Sequence, residues 1–261
     1  MDFGLIGKTA LVLGGSGGLG RAIAKALAAE GAKVAVAGVH PESVAAAQSA
    51  LAETGRPSLG LEWDLGDPSR IEPNVSKIES ELGPVDILIN NTGGPPPTPA
   101  GGQDPGLWSK NFQSMVLSVI AVTDRILPGM RQRRWGRVIT STSSGVVAPI
   151  PNLAISNALR LSLVGWSKTL AREVARDGVT VNVIVPGRIA TARTKSLDEA
   201  KAKREGRAVA DVAEESAVAI PVGRYGLPEE YADVVAFLAS ERASYVTGSV
   251  VRVDGGLIAS I

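Results

Sequence analysis

Short, almost continuously apolar runs alternate along this chain with longer stretches in which apolar residues recur every three or four positions. The short runs are typical of strands in a parallel sheet covered on both faces, and the longer stretches are typical of amphipathic helices. The predicted strands are Thr9–Leu13, Lys33–Ala37, Leu59–Trp63, Asp86–Asn90, Arg137–Thr142, Thr180–Val185 and Val250–Val253.

Six helical patterns lie between these strands, and prolines mark the start of several, where the first turn of a helix tolerates them. Strands that alternate with helices predict an α/β fold: a doubly wound (Rossmann) sheet of seven parallel strands with helices on both faces. Ligands of such a sheet bind at the carboxyl ends of the strands. The predicted helices are Leu19–Glu30, Pro41–Glu53, Pro68–Leu82, Leu107–Arg133, Asn152–Asp177 and Glu229–Ser240.

Neither an internal repeat nor a linker divides the sequence, so we predict one domain over residues 1–261. Two segments differ from the helix and strand patterns. Gly93–Gly102 is a loop stiffened by prolines after the fourth strand. Residues 191–222, after the sixth strand, are charged and rich in alanine. At that place in the fold we predict a lid over a binding site.

Composition and charge narrow the function classes. A formal net charge of +1 argues against a large basic surface for nucleic acid. The absence of cysteine argues against a metal site with thiolate ligands, and the single histidine, His40, argues against one built from several histidines. Lys8 interrupts the apolar start of the chain, which therefore lacks the pattern of a signal peptide. No apolar stretch reaches membrane-spanning length without charge or glycine, so we expect a cytoplasmic protein without a membrane partner.

A glycine-rich turn, Gly14-Gly15-Ser16-Gly17-Gly18-Leu19-Gly20, joins the first strand to the first helix. Gly14 permits a tight turn, Gly18 permits close approach of the backbone to a pyrophosphate, and Gly20 permits close packing of helix on strand. The backbone N–H groups at the start of the helix then face the negative phosphates. Between a strand and a helix, this turn predicts a dinucleotide site.

The spacing of these glycines resembles the TGxxxG[IL]G turn of the short-chain dehydrogenase/reductase (SDR) family, with Leu13 where threonine is usual. Further segments match the family in order along nearly the whole chain, among them Pro221–Gly226, Tyr245–Gly248 and Val253–Gly256. The general pattern is most similar to 3-oxoacyl-carrier-protein reductases. The resemblance implies a dinucleotide held by Gly14, Ser16, Gly17, Gly18, Leu19, Gly20, Asp64, Leu65, Asn91, Thr92, Gly93, Pro186, Gly187, Ile189 and Thr191. The end of the second strand adds Gly38, Val39 and His40 as candidate contacts.

The end of the second strand bears on the choice between NAD(H) and NADP(H). An acidic residue there would accept a hydrogen bond from the ribose 2′-hydroxyl, and a basic one would bind a 2′-phosphate. The chain has Ala37-Gly38-Val39-His40 at this place, with neither Asp nor Arg. Without a carboxylate to repel the phosphate, we favour NADP(H) over NAD(H). His40 is either a phosphate contact or only a loop residue.

The catalytic positions of the family are only half retained. Asn111 and Ser143 fall at the family's Asn and Ser. The family places tyrosine thirteen residues after that serine and lysine four residues later, where this chain has Ser156 and Arg160. A serine hydroxyl is a much weaker acid than a phenol, and arginine stays protonated. Loss of a positioned general acid lowers the rate by about 10²–10⁴-fold.

Three readings of this site stay open. In the first, the protein remains an oxidoreductase that interconverts a carbonyl and an alcohol, with Ser143 and Arg160 stabilising the oxyanion and a water delivering the proton. In the second, it is a degenerate dinucleotide-binding protein that acts as a sensor or an oligomer partner. In the third, the proton comes from the substrate or from another chain. We favour activity, because the cofactor and nicotinamide segments are intact.

Two further expectations concern partners. If Arg188 or Arg193 points inward beside Arg160, an anionic substrate becomes attractive. The alternative is that these residues belong to a solvated lid helix. The family resemblance implies a homotetramer or a homodimer.

Overall fold

The computed structural model describes residues 2–261, and its centre is one sheet of seven parallel strands in the order β3-β2-β1-β4-β5-β6-β7. The chain crosses between strand edges after β3, as in a doubly wound fold, and helices cover both faces. The predicted fold class is therefore confirmed. The strands are β1 (Thr9–Val12), β2 (Lys33–Gly38), β3 (Ser58–Glu62), β4 (Ile87–Asn90), β5 (Gly136–Ser141), β6 (Val179–Pro186) and β7 (Val250–Val253).

The helices that follow the strands supply the two outer layers of the sandwich. Their bounds are α1 (Gly18–Ala29), α2 (Pro41–Ala52), α3 (Ile71–Glu81), α4 (Pro105–Phe112), α5 (Ser118–Arg133), α6 (Ala154–Val174), α7 (Ala192–Glu205), α8 (Val209–Val218) and α9 (Pro228–Ala239).

The core has one apolar cluster on each face of the sheet. Ile23 of α1 and Val235 of α9 belong to the cluster on one face, together with Val12 of β1. On the other face, Ile78 of α3 packs in a cluster with Leu88 of β4, which also holds buried residues of α5 and α6. Burial of the strands on both sides explains why their sequences are apolar throughout.

Two predicted helices differ from the structure for local reasons. The predicted helix Leu107–Arg133 is α4 and α5, joined by a π-helical turn at Gln113–Leu117. The predicted helix Asn152–Asp177 begins as α6 only at Ala154, because Asn152 has a left-handed backbone (φ 59°) that an α-helix excludes. Periodicity of apolar residues detects neither the extra residue of a π turn nor a single left-handed residue.

The predicted lid segment forms α7 and α8, a pair of helices in contact with each other beside the carboxyl end of the sheet. Thr191 caps α7 by accepting a hydrogen bond from the Thr194 N–H at 3.3 Å, and Gly206 ends it with a left-handed backbone. Within residues 2–261, no helix is both long and apolar enough to span a membrane.

Candidate active site

A cavity of about 930 Å³ opens at the carboxyl ends of the strands, between the glycine-rich turn and the lid helix α7. Its size is at the upper end of the range for small-molecule and cofactor sites. The structure brings most of the predicted site residues to its wall: Gly14, Ser16, Gly17, Gly18, Leu19, Gly38, Val39, Asp64, Leu65, Asn91, Thr92, Gly93, Asn111, Ser143, Ser156, Arg160, Pro186, Gly187, Ile189 and Thr191.

Gly20 and His40 are the predicted site residues that do not line this wall. Gly20 lies beneath the turn, where it allows α1 to pack on the strand end. His40 is exposed at the start of α2, so the structure does not bring its imidazole to the cavity. The neighbouring Val39 does line the wall and is half exposed.

The glycine-rich turn has the shape that a pyrophosphate cradle requires. Gly14 and Gly18 both have left-handed backbones, with φ of 59° and 50°. The Asn91 amide fixes the turn from β4 by donating to the Leu13 and Gly14 carbonyls, each at 3.3 Å. A Cβ built on Gly18 would meet nothing nearer than Thr191 at 3.9 Å, so the space above the turn is open to a ligand.

The far end of the cavity fits the adenine half of a dinucleotide. Trp63 lines this end beside Asp64 and Leu65, and its buried indole N–H has no hydrogen-bond partner among residues 2–261. Asp64 caps the following turn by accepting from the Gly66 N–H at 2.8 Å. The open cradle and the wall that continues from it to Trp63, Asp64 and Leu65 fit a nicotinamide dinucleotide. No group of acidic or histidine side chains in the described part of the chain is suited to hold a metal ion.

Ser143 and Asn111 retain polar groups at the reacting end. Ser143 follows β5, and its hydroxyl oxygen accepts from the Gly145 N–H at 3.1 Å. This leaves the hydroxyl proton available for a ligand. Asn111 lies in the last turn of α4, directly before the π-helical turn, and its amide donates to the Leu107 carbonyl at 2.8 Å. The two side chains therefore reach the cavity wall from different elements, Ser143 from the segment after β5 and Asn111 from α4.

Ser156 and Arg160 lie one turn apart on α6, and both are buried in the cavity wall. Arg160 donates from Nη2 to the carbonyls of Thr92 and Gly93, at 3.1 and 3.0 Å, and from Nη1 to that of Ser141 at 3.3 Å. Burial lowers the pKa of Arg160 to about 10, and the nearby Arg193 contributes in the same direction. At neutral pH the guanidinium therefore remains charged.

Arg193 is the lid arginine that reaches toward Arg160. It is partly exposed, burial of its guanidinium lowers its pKa, and its Nη2 donates to the Pro95 carbonyl at 2.6 Å. Arg188 also lines the cavity, but it pairs with the buried carboxylate of Asp198, which also accepts from the Tyr225 hydroxyl at 2.9 Å. The sequence left open whether Arg188 or Arg193 approaches Arg160; in the structure Arg193 does, and Arg188 anchors the lid.

A buried phenol does lie near the site, although it cannot replace the family's tyrosine. The Tyr231 hydroxyl of α9 is 2.8 Å from the Ser141 hydroxyl, and Tyr231 does not line the cavity. Burial raises the pKa of Tyr231 well above its usual value, so it is a weaker acid than a free phenol.

Several wall residues carry no motif by which they are recognised in the sequence. The largest group comes from the end of β5, from the segment between β5 and α6, and from the lid: Ser141, Thr142, Ser144, Ile150, Pro151, Asn152, Leu153, Leu197 and Ala200. The predicted topology could have indicated these residues, because the segment that joins β5 to α6 must cross the carboxyl edge of the sheet, where the cavity lies.

Comparison with known proteins decides the family. A family model described as enoyl-(acyl carrier protein) reductase matches residues 14–258. The 3-oxoacyl-[acyl-carrier-protein] reductase FabG of Escherichia coli (strain K12) is 38% identical over 253 residues, which cover 96% of this chain and 97% of that protein. The chain belongs to the short-chain dehydrogenase/reductase family.

Solved structures of reductases agree with this assignment. The L-sorbose reductase of Gluconobacter frateurii, complexed with NADPH and L-sorbose, superimposes with a TM-score of 0.94 at 32% identity and full coverage of both chains. The actinorhodin polyketide ketoreductase with NADPH gives 0.92 at 31% identity, over 96% of this chain and 97% of that one. This SDR protein is therefore an oxidoreductase that uses a nicotinamide dinucleotide.

The anchor of the SDR lid leads to a prediction about Asp198. We expect Asp198→Ala to release α7 from Arg188 and Tyr225, at a cost of about 1–2 kcal/mol, since Arg188 keeps access to water. Hydrogen exchange should rise in residues 192–218, and the KM for substrate should rise more than kcat falls. Glu199→Ala, at an exposed position of the same helix, is the matched control. Equal exchange in the two variants would refute the anchor.

Proposed function

We propose that this protein reduces carbonyl compounds, or oxidises the corresponding alcohols, with an active site that lacks the family's phenol. The observation that carries the proposal is the cavity itself: beyond the dinucleotide cradle it continues to Asn111, Ser143, Ser156 and Arg160. This second compartment gives a carbonyl compound room beside a bound dinucleotide.

The residues present suggest how the charge of the reaction is handled. When bound, the reduced nicotinamide supplies a hydride, and the carbonyl oxygen then carries negative charge. The Ser143 hydroxyl is free to donate a hydrogen bond to that oxygen, and the buried positive charge of Arg160 stabilises the negative charge on it. Neither group gives up a proton readily at neutral pH. We propose that a water beside Ser156 gives the proton, in the space that a tyrosine ring would fill.

Ser143→Ala tests this assignment. We expect kcat for carbonyl reduction to fall about 10²–10³-fold, as for the loss of an oxyanion donor, with little change in the affinity for NADPH. Thr142→Val, a neighbouring wall position whose hydroxyl donates to the Ile184 carbonyl, reports the effect of merely disturbing this loop. Unchanged turnover in Ser143→Ala would contradict the role of Ser143.

We further propose that NADP(H) is preferred to NAD(H). The wall at the end of β2 is formed by Gly38 and Val39, and neither offers a carboxylate to a ribose 2′-hydroxyl. Two structural relatives were solved with NADPH, which supports the same preference. Fluorescence titration should give a lower Kd for NADPH than for NADH, and the reverse order would refute the preference.

The second candidate function is dinucleotide binding without turnover, as a sensor or an oligomer partner. One observation favours it: the position that faces the reacting end of the cavity carries the Ser156 hydroxyl, which is too weak an acid to replace the phenol. Both candidates predict binding of NADPH, and turnover separates them.

A homodimer or homotetramer is the assembly that we propose. Phe112 and Leu161 are exposed apolar side chains on the contacting helices α4 and α6, and Leu117 is exposed on the turn between α4 and α5. We expect Leu161→Glu to reduce the mass of the assembly in light scattering, because it places a charge in the apolar contact. Ser80→Glu, on the exposed side of α3, should leave the mass unchanged. A wild-type monomer would contradict the proposal.

We also propose that the protein acts in the cytoplasm.

A further inference from the structure

The cavity wall holds five cationic side chains, of which some form ion pairs with carboxylates and others do not. Three of them, all from the lid side, form ion pairs with carboxylates. Arg160 and Arg193 form no ion pair with any residue between 2 and 261. The paired cations are Arg188 with Asp198, Lys201 with Glu215, and Arg204 with Glu205.

The two unpaired guanidinium groups are neighbours at the reacting end of the cavity. They approach Gly94 together: a Cβ built there would lie 3.3 Å from Arg193 Nη2 and 3.6 Å from Arg160 Nη2. Arg160 is only 8% exposed, so water screens its charge poorly. The like charge of the more exposed Arg193 repels it, and backbone carbonyls offset this repulsion only in part.

Both side chains keep hydrogen-bond donors for a ligand. A guanidinium has five N–H groups; Arg160 uses three of them on backbone carbonyls, and Arg193 uses one. The unused donors and the uncompensated charge are suited to an oxyanion. The dinucleotide pyrophosphate has its own cradle at Gly14–Gly20, whereas Arg160 stands one helical turn from Ser156, beside the reacting centre.

We propose that Arg160 and Arg193 bind the carboxylate of the substrate, which is then an oxo acid in reduction and a hydroxy acid in oxidation. This inference rests on the proposed function, since it assigns the substrate class of the same cavity. The reaction balances as hydride transfer from the reduced nicotinamide to the carbonyl carbon, which leaves the oxidised nicotinamide, and proton transfer from water to the oxygen, which leaves a hydroxide that takes up a proton from the solvent. The carboxylate takes no part in bond changes and orients the carbonyl.

Matched pairs of acid and ester test the proposal. Pyruvate, acetoacetate and levulinate place the carboxylate at three distances from the carbonyl, and their methyl esters remove the charge. With NADPH, we expect at least one acid to exceed its ester by 10-fold or more in kcat/KM. Arg193→Met should raise the KM for that acid about 10- to 100-fold and for the ester less than about 3-fold. Lys195→Met, at an exposed position on the same helix, should change neither.

Two outcomes overturn the carboxylate site while the oxidoreductase stands. In one, acids and esters are reduced equally well and Arg193→Met affects both alike. In the other, Arg193→Met raises only the Kd for NADPH, which would assign Arg193 to the dinucleotide phosphates. If no compound is reduced, the proposed function fails, and calorimetry of the three acids with the NADP⁺-loaded protein decides the site. Binding that Arg193→Met abolishes supports the anion site; no binding of any acid, or binding that Arg193→Met leaves unchanged, overturns it.

Discussion

The double substitution Ser156→Tyr with Arg160→Lys is expected to raise kcat for carbonyl reduction about 10²–10⁴-fold. Ser156 is buried in the cavity wall one helical turn before Arg160, so a phenol there would project into the space beside the reacting carbonyl. The lysine would lower the pKa of that phenol and make it an effective acid at neutral pH. Steady-state oxidation of NADPH with saturating carbonyl compound measures the change.

Ser156→Phe with Arg160→Lys is the matched control, because it fills the same space without a hydroxyl. Its kcat should not exceed that of the wild type. If the tyrosine variant were no faster than the wild type, the absence of the family's tyrosine and lysine would not be what limits the rate of this protein. The proton would then follow a route that the phenol does not improve.

Gly20→Ala is expected to abolish dinucleotide binding, with a rise in the Kd for NADPH of at least about 100-fold. A Cβ on Gly20 would fall far inside van der Waals contact of the Gly14 carbonyl oxygen and 3.0 Å from the Asn91 amide nitrogen. The turn would have to open, and the N–H groups that face the pyrophosphate would move with it.

The thermal midpoint of the same variant, measured without cofactor, separates a lost cradle from a lost fold. We expect destabilisation of about 1–3 kcal/mol, as for other overpacked positions. Gly101→Ala, in a loop where an added Cβ meets nothing within 4 Å, should bind NADPH normally. Gly20→Ala with a Kd near that of the wild type would show that the cradle tolerates the altered turn.

The sheet was predictable from sequence because strands that are buried on both faces consist almost entirely of apolar residues. Every predicted strand is present, with ends that differ by at most one residue, as for Thr9–Leu13 against Thr9–Val12. The π-helical turn at Gln113–Leu117 was not predictable, since the apolar spacing on either side of it remains helical. The lid was predicted as a segment, and its division into α7 and α8 follows from the left-handed Gly206.

The site was predictable where chemistry is carried by local motifs and not where it depends on distant backbone. The glycine-rich turn and the positions of Ser156 and Arg160 can be found by counting along the sequence. The three carbonyls that hold Arg160 come from β5 and from the loop after β4, and no spacing reveals them. The same holds for the separation of Arg188 and Arg193, because it depends on the burial of Asp198 in the lid.

Hydride transfer by the wild-type protein is the central claim, and isotope transfer tests it most directly. NADPH carrying deuterium at the transferable position of C4 is incubated with the wild-type protein and the panel of oxo acids and esters, and the alcohols are analysed by mass spectrometry. We predict an alcohol one mass unit heavier, absent with Gly20→Ala. Tight binding of NADPH with no labelled alcohol, in a protein whose Ser156→Tyr, Arg160→Lys variant does form it, would identify a dinucleotide-binding protein without turnover.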